Sequence, residues 1–362
     1  MNKIQELSNK LENLNISEQI DSAIITSNHN RRYFSNFSSS LGYMLVTKEI
    51  SYLLVDFRYI EAAKKNCHNC EVILFNRLDE TLSSLIKKHH LKSTLLESDS
   101  ITLTQANTLK EILENNNVKT HLNRTLDKII NEIRMIKSPE EIDKMKTAQK
   151  IAEKAFNNTL NKIQPGVSER EISLELEFQM KKFGAEKLAF DLIVVSGKNS
   201  SLPHGVPSNK QIEKGDFVTI DMGAVYEGYR SDMTRTVAVS NVSDEQKHIY
   251  DIVLKAQIKA IESIKPGIIC SEVDKIARDI IYSSGYEGCF GHSTGHSIGI
   301  EEHENPSFSY NCKSILKPGM VMTVEPGIYL PNKFGVRIED MILVNEYGYE
   351  NLTTINKQLI IL

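Results

Sequence analysis

The 362-residue chain lacks any run of 18 apolar residues, so it carries no expectation of a membrane-spanning helix. Its start, MNKIQELSNKLENLN, is charged from the third residue and lacks the apolar core of a secretory signal. A surplus of one charge is also missing. Lys plus Arg number 43 against 47 Asp plus Glu, which removes the electrostatic reason to expect nucleic acid or an anionic membrane as partner. Cysteine is scarce and odd in number, at five, and Cys270, Cys289 and Cys312 lie far apart in sequence. That usage argues against a disulfide framework and for reduced thiols in a cytoplasmic protein. Cys67 and Cys70 form a lone CxxC, half of a tetrahedral zinc site with no second pair to complete it. It reads as a surface loop before a strand at Glu71–Phe75.

What is present is an ordinary globular composition, 40% apolar and 25% charged, on a chain long enough for two domains. In the first third, short β-rich runs alternate with helical stretches. Ala23–Thr26, Tyr43–Thr47, Ser51–Asp56, Val72–Phe75 and Thr94–Glu97 read as strands, and Tyr59–Lys65, Asp79–Lys88 and Thr102–Glu114 as helices. The pattern predicts a small α/β layer domain over residues 1–130. A boundary follows at Ser138-Pro139-Glu140-Glu141, an N-cap, a first-position proline and a capping-box glutamate, and residues 131–362 form the second domain.

That second part contains a diverged repeat. A long helix ends at Pro165-Gly166 and a second, capped by Ser168 and Glu171, stops at Gly184. The same signals return at Pro266-Gly267 and Gly285, an offset of 101 residues. Each helix pair leads into a matching strand ending in an acid, GDFVTID at Asp221 and GMVMTVE at Glu325. Two similar units that each deliver a carboxylate suggest a site on a pseudo-twofold axis.

Each strand continues into a hairpin signal. A turn centred between Tyr226 and Glu227 would set Asp221 opposite Asp232, with their Cβ atoms roughly 4.5–5.5 Å apart. Two unpaired carboxylates at that separation repel, and a pair of metal ions would remove the conflict. Rescue by Arg230 or Arg235 is the alternative, and a bulge at Gly228 would change the register. In the second hairpin, pairing about Asn332 sets Glu325 opposite Glu339. Between them lie Gly291-His292-Ser293-Thr294-Gly295-His296 and Glu301-Glu302-His303. Four carboxylates and one imidazole form a hard donor set better suited to manganese or a similar divalent ion than to structural zinc. Their charge balances two divalent cations and leaves a bridging hydroxide as nucleophile.

The stretches IDMGAVYEGYRSDMTRT, GHSTGHSIGIEEHENP, MTVEPGIY and GVRIED resemble those of the pita-bread metallopeptidases, in the Xaa-Pro branch of aminopeptidase P and prolidase. The resemblance spans residues 135–362. RRYFSNFSSSLGYMLVT and VDFRYIEAA are similar to the creatinase-like N-terminal domain of that family. The implied fold is an α/β N-terminal domain followed by an α+β pita-bread catalytic domain with an internal pseudo-twofold repeat. The resemblance implies Asp221, Asp232, His296, Glu325 and Glu339 as ligands of two divalent ions, Mn2+ foremost with Co2+ or Zn2+ as substitutes, Asp232 and Glu339 bridging them. It implies Glu325 as general base, His204 and His303 as substrate and oxyanion contacts, His292 as a pocket residue and Arg337 as a support for the carboxylates.

Proline-containing peptides are then the substrates and a homodimer the assembly. Several dipeptide-cutting relatives carry an arginine after the HExP element, where this chain has Ser307. A serine cannot grip a free carboxylate bidentately, which favours peptides longer than dipeptides. Methionine aminopeptidases share the five ligands but usually lack this N-terminal domain and the GVRIED ending. Creatinase-type amidinohydrolases share the fold without the ligands. A non-catalytic peptide-binding protein on the same scaffold is the remaining alternative.

Overall fold

The computed structural model describes residues 3–14 and 19–362, which fall into two compact units, Met1–Arg134 and Met135–Leu362.

In the first unit, six strands form one mixed sheet in the order Glu71–Leu74, Ser51–Val55, Tyr43–Thr47, Ser22–Ile25, Ser93–Leu96, Lys119–Leu122. The central strands carry unbroken apolar runs, as sheets covered on both faces do, and Ile24, Leu45, Tyr52, Leu54 and Leu96 are all buried. Five of the strands fall within a residue or so of their sequence positions. The sixth, Lys119–Leu122, and the helices Lys3–Glu12, Asn28–Ser35 and Thr125–Met135 are additional. The strand Lys-Thr-His-Leu is a sheet edge with only half-buried or exposed residues, so it has no apolar pattern to read. The CxxC segment differs from the expected surface loop. Cys67 is buried beside Leu53, Val55 and Ala63, because it ends the helix Ile60–Asn66 on that helix's inner face.

The second unit repeats one design twice. Ser138 caps the helix Pro139–Thr159 with the capping box closed by Glu141, and Ser168 does the same with Glu171 for Glu169–Lys182. Asp244–Glu262 and Cys270–Ser283 are the corresponding helices of the second half. Gly166 and Gly267 follow the longer helices with φ of 92° and 91°, a left-handed conformation that costs glycine little. Each then donates its N–H to the carbonyl of a residue a few positions ahead of the acid-bearing strand of its half, Ile212 and Leu316 respectively. In the first half, Ile151, Phe156 and Leu176 pack on Val218, Ile220 and Val237. In the second, Val253, Ala277 and Ile281 pack on Met322, Val324 and Ile342. Each such burial is worth about 1.5–3 kcal/mol, enough to fix the strand ends on which the polar residues stand.

The two hairpins have different registers from one another. In the first, Phe217–Met222 pairs with Met233–Ala238, and Asp221 lies opposite Thr234. Asp221 therefore does not face Asp232, which sits one residue before its strand. The turn is centred between Glu227 and Gly228, with Val225 facing Arg230 and φ of 45° and 88° at the two central residues. Two left-handed residues make the two-residue turn that matches strand twist, and this moves the register by two. Asp232 becomes a diagonal neighbour of Asp221. In the second hairpin, Leu330 pairs with Phe334 and Gly327 with Arg337, and farther on Val324 pairs with Asp340. That register is centred on Asn332 and continues through Glu325 and Glu339 at the break between the paired segments.

Candidate metal centre

The polar side chains stand where the apolar strands stop. Asp221 is the penultimate residue of Phe217–Met222, Asp232 precedes Met233–Ala238, Glu325 follows Val321–Val324, and Glu339 precedes Asp340–Val344. His296 lies in the strand Gly295–Ser297, next to Val321–Val324 in a five-stranded sheet. Gly295 allows that close approach, since a Cβ there would collide with the Thr323 carbonyl. The halves are tied at the site itself. The Glu339 amide donates to the Thr234 carbonyl of the other half (3.1 Å), and within the second half the Glu325 amide donates to the Thr294 carbonyl (2.7 Å).

All five side chains line one cavity of about 560 Å³, together with His204, His292, His303 and Arg337. Asp232, His296 and Glu339 each offer a ligand atom within 4.8 Å of the others. His296 Nε2 is 3.7 Å from Asp232 Oδ2 and 3.5 Å from Glu325 Oε1, while its Nδ1 faces the Ser297 carbonyl at 3.1 Å. His292 Nδ1 is 4.0 Å from Glu325 Oε2. His303 and His204 are exposed on the cavity wall, and the His303 ring lies 4.3 Å from that of His296.

Arg337 is buried and its guanidinium NH2 donates to Asp221 Oδ2 at 2.7 Å. Its other nitrogens donate to Thr234 Oγ1, the Pro203 carbonyl and Tyr329 Oη. Tyr329 and Thr234 had no role in the sequence reading. Tyr329 Oη lies 2.9 Å from His292 Nε2, and Thr234 donates to Glu339 Oε2 at 2.7 Å. The only sequence sign of either was its place inside a motif, MTVEPGIY or SDMTRT. The arginines considered as rescuers of Asp221 and Asp232 are engaged elsewhere. Arg235 donates to Asp340 Oδ1 at 2.7 Å, and Arg230 donates to the Ala189 and Ile300 carbonyls.

Electrostatics follow from this crowding. Burial, then Glu339, Asp221 and Glu325, push Asp232 well above the usual carboxylate range. Burial, then Glu325 and Asp221, do the same to Glu339. Glu325 is raised to about 8 by burial, with Arg337 opposing and Asp221 and Glu302 adding. Burial and the His303 ring lower His296 to about 4, leaving the neutral imidazole that a metal requires.

The profile of metallopeptidase family M24 matches residues 143–346, and that of the creatinase/prolidase N-terminal domain matches residues 4–136. The chain belongs to metallopeptidase family M24. A Xaa-Pro dipeptidase from Pyrococcus horikoshii is 43% identical over 342 residues, covering 94% of this chain and 95% of that one. The solved structure of a Xaa-Pro dipeptidase from Bacillus anthracis is 43% identical with a TM-score of 0.93, covering 99% of both chains. An X-Pro aminopeptidase from Thermotoga maritima is 36% identical with a TM-score of 0.89, covering 98% of this chain and 99% of that one. The resemblance to the Xaa-Pro branch of the family therefore holds, as does the two-domain fold of creatinase-like and pita-bread parts.

As an M24 metallo-exopeptidase the chain uses divalent metal ions, and its residues fit such a group. Asp221 Oδ1 is buried with no hydrogen-bond partner. Among the described residues no hydrogen-bond donor reaches the carboxylate of Asp232 or of Glu325. Oxygen donors crowded in this way, beside a neutral imidazole, need cations.

Proposed function

We propose that this chain removes the N-terminal residue from peptides whose second residue is proline, acting as a Xaa-Pro aminopeptidase that also accepts Xaa-Pro dipeptides. The observation that carries the reading is the meeting, in one cavity, of carboxylates from both half-domains with a neutral histidine. Asp221, Asp232, His296, Glu325 and Glu339 would hold two divalent ions, foremost manganese, with Asp232 and Glu339 serving both. Metal bound there would supply an activated water and polarise the scissile carbonyl.

The protein's own groups account for the rest. Glu325 would accept the water's proton and pass it to the leaving proline nitrogen. His204 would donate a hydrogen bond to the substrate's backbone and His303 one to the oxygen where negative charge develops. His292, held by Tyr329, would shape the wall of the pocket. Arg337 would hold Asp221 in orientation through its hydrogen bond to Oδ2. Proline at the second position is tolerated because its nitrogen has no N–H to leave unsatisfied.

The preference for longer peptides rests on the cavity's cations. Among the described residues lining it, Arg337 is the one lysine or arginine, and it is committed to Asp221 and Tyr329. Ser307 stands where some relatives place an arginine. Nothing there clamps a dipeptide's carboxylate bidentately. Residues 1–130 would be the creatinase-like domain and 131–362 the catalytic one, in a cytoplasmic homodimer, which fractionation and light scattering would check.

Cleavage of Ala-Pro, Ala-Pro-Pro and Met-Ala-Ser with added manganese or cobalt tests the reading. Turnover should be highest on Ala-Pro-Pro, measurable on Ala-Pro and absent on Met-Ala-Ser. Cleavage of Met-Ala-Ser in preference to the others would replace it with a methionine aminopeptidase. No cleavage of any of the three, with no metal retained, would leave a peptide-binding protein.

A further inference from the structure

The Asn66-Cys67-His68-Asn69-Cys70 segment takes no part in the proposed peptidase chemistry. Cys67 closes the helix Ile60–Asn66 by donating its amide to the Ala63 carbonyl, and Cys70 immediately precedes the strand Glu71–Leu74, which pairs with Ser51–Val55. Two elements of regular structure therefore hold the two ends of a four-residue turn. Asn69 fastens its middle through a side-chain hydrogen bond to the Phe34 carbonyl.

The outcome is that Cys67 Sγ and Cys70 Sγ lie 3.1 Å apart, with both thiols free. Among the described residues no third histidine, cysteine or carboxylate joins them within metal-ligand reach; the group that qualifies is the one at Asp232, His296 and Glu339. Two sulfurs alone do not make a structural metal site. A pair of thiols already in contact, with no metal to hold, is suited to bond to one another.

We propose that Cys67 and Cys70 form a peroxide-sensitive dithiol that closes to an intramolecular disulfide.

The local chemistry assigns their roles. Either sulfur can donate in the contact between them; with Cys67 as the thiolate, the Cys70 thiol donates to it and the Asn69 and Cys70 amides add to its stabilisation. These donors outweigh burial and bring Cys67 down to about 7. The same hydrogen bond, with burial, pushes Cys70 up. Cys67 is the nucleophile and Cys70 the resolving thiol. The Cys67 thiolate attacks one oxygen of a hydroperoxide, the O–O bond breaks, and the other oxygen leaves as an alcohol, or as water from hydrogen peroxide, after taking a proton. The resulting sulfenic acid is displaced by the Cys70 sulfur: the S–S bond forms, and the hydroxyl leaves as water with the Cys70 proton. Two thiols are oxidised and one peroxide is reduced.

The protein contains its own control. Cys270 lies near Cys312, but burial pushes its thiol up to about 12, so it holds too little thiolate to react at neutral pH.

The experiment uses the full chain, purified under reduction and given graded hydrogen peroxide. Remaining thiols are then alkylated without reductant and the peptides weighed. The peptide spanning 67–70 should lose two hydrogens at the lowest doses and regain them with dithiothreitol, while Cys270 and Cys312 remain alkylated. In Cys70→Ser, a dimedone adduct should appear at residue 67; in Cys67→Ser, none should appear at residue 70. The proposal fails if Cys67 and Cys70 stay fully alkylated at doses that oxidise Cys289. It also fails if Cys67→Ser leaves residue 70 as reactive as in the parent chain. Because the readout is peptide mass, it stands apart from the outcome of the cleavage assays.

Discussion

Glu97 and Glu325 occupy equivalent-looking places, each following a short apolar strand, Ser93–Leu96 or Val321–Val324, and the chain treats their charges in opposite ways. Glu97 Oε2 accepts from the Thr26 and Ser27 amides at 2.8 and 2.7 Å, and its Oε1 from Ser27 Oγ and Asn30 Nδ2 at 2.6 and 2.5 Å. Burial alone would raise its pKa, but these donors hold it below the ordinary value. Glu325, Asp232 and Glu339 share a cavity with too few donors, and all three are raised. A buried carboxylate that the protein satisfies itself is structural. One with few donors beside others like it keeps a conflict that a cation would relieve.

The largest test removes one member of each kind. Asp232→Ala or Glu339→Ala should abolish peptide hydrolysis and lower the bound metal measured by elemental analysis. Glu97→Ala should leave metal content and turnover per folded molecule unchanged. It should instead lower stability by about 1–3 kcal/mol, the cost of leaving buried donors unsatisfied. Unchanged metal content in both alanine variants at the cavity would erase the distinction.

A buried carboxylate supplied with its own lysine gives a third case. Lys137 Nζ lies 3.1 Å from Glu304 Oε2, with side chains 1% and 5% exposed, and also donates to Ser297 Oγ beside His296. Glu304 Oε1 in turn accepts from the Ile300 and Glu301 amides, fixing the turn that leads to His303. Lys137→Met should cost about 3–5 kcal/mol, as breaking one side of a buried pair does. Lys137→Met with Glu304→Gln should recover part of it in calorimetry. Equal loss in the single and double variants would mean the pair itself is not the source.

Arg337 is a smaller lever, since it satisfies one oxygen of one carboxylate. Arg337→Met should reduce kcat/KM by roughly 10–100-fold, the usual effect of a residue that supports ligands. Arg337→Lys should retain more activity but lose the simultaneous contacts to Asp221, Thr234 and Tyr329. A methionine variant with parental activity would show that Asp221 needs no such support.

The sequence marks the strand ends well and the donors poorly. Asp221, Glu325 and Glu97 all follow apolar runs, so their positions are readable, yet nothing adjacent to Glu97 reveals that Thr26, Ser27 and Asn30 will meet it. Those partners are about 70 residues away, and their convergence depends on the sheet order. The same limit explains Tyr329, Thr234 and Lys137, which act through neighbours remote in sequence. Register was readable only where turn chemistry was. Asn332, at φ 61°, centres the second hairpin as its pattern suggests. Glu227 in a left-handed conformation has no strong sequence signal, so the first hairpin's register falls two residues from the simplest guess.

Acidity should separate the two kinds of carboxylate by the sign of its effect. Glu97 has a lowered folded-state pKa, so its contribution is fully present above the unfolded carboxylate value of about 4.3. That contribution is lost as pH falls through the lower folded value. Glu325, in metal-free protein, is raised from 4.5 to about 8. Across that window the folded state binds more protons than the unfolded one, so stability falls as pH rises. Calorimetry of chelated protein should therefore show a transition that weakens between about pH 4.5 and 8, whereas excess manganese should flatten or reverse that slope, because binding requires the ionised carboxylates. Glu97→Gln should leave the neutral-pH slope alone and diminish only the loss at the acid end. Identical slopes with and without manganese would mean that the raised carboxylates are not the groups the cation meets.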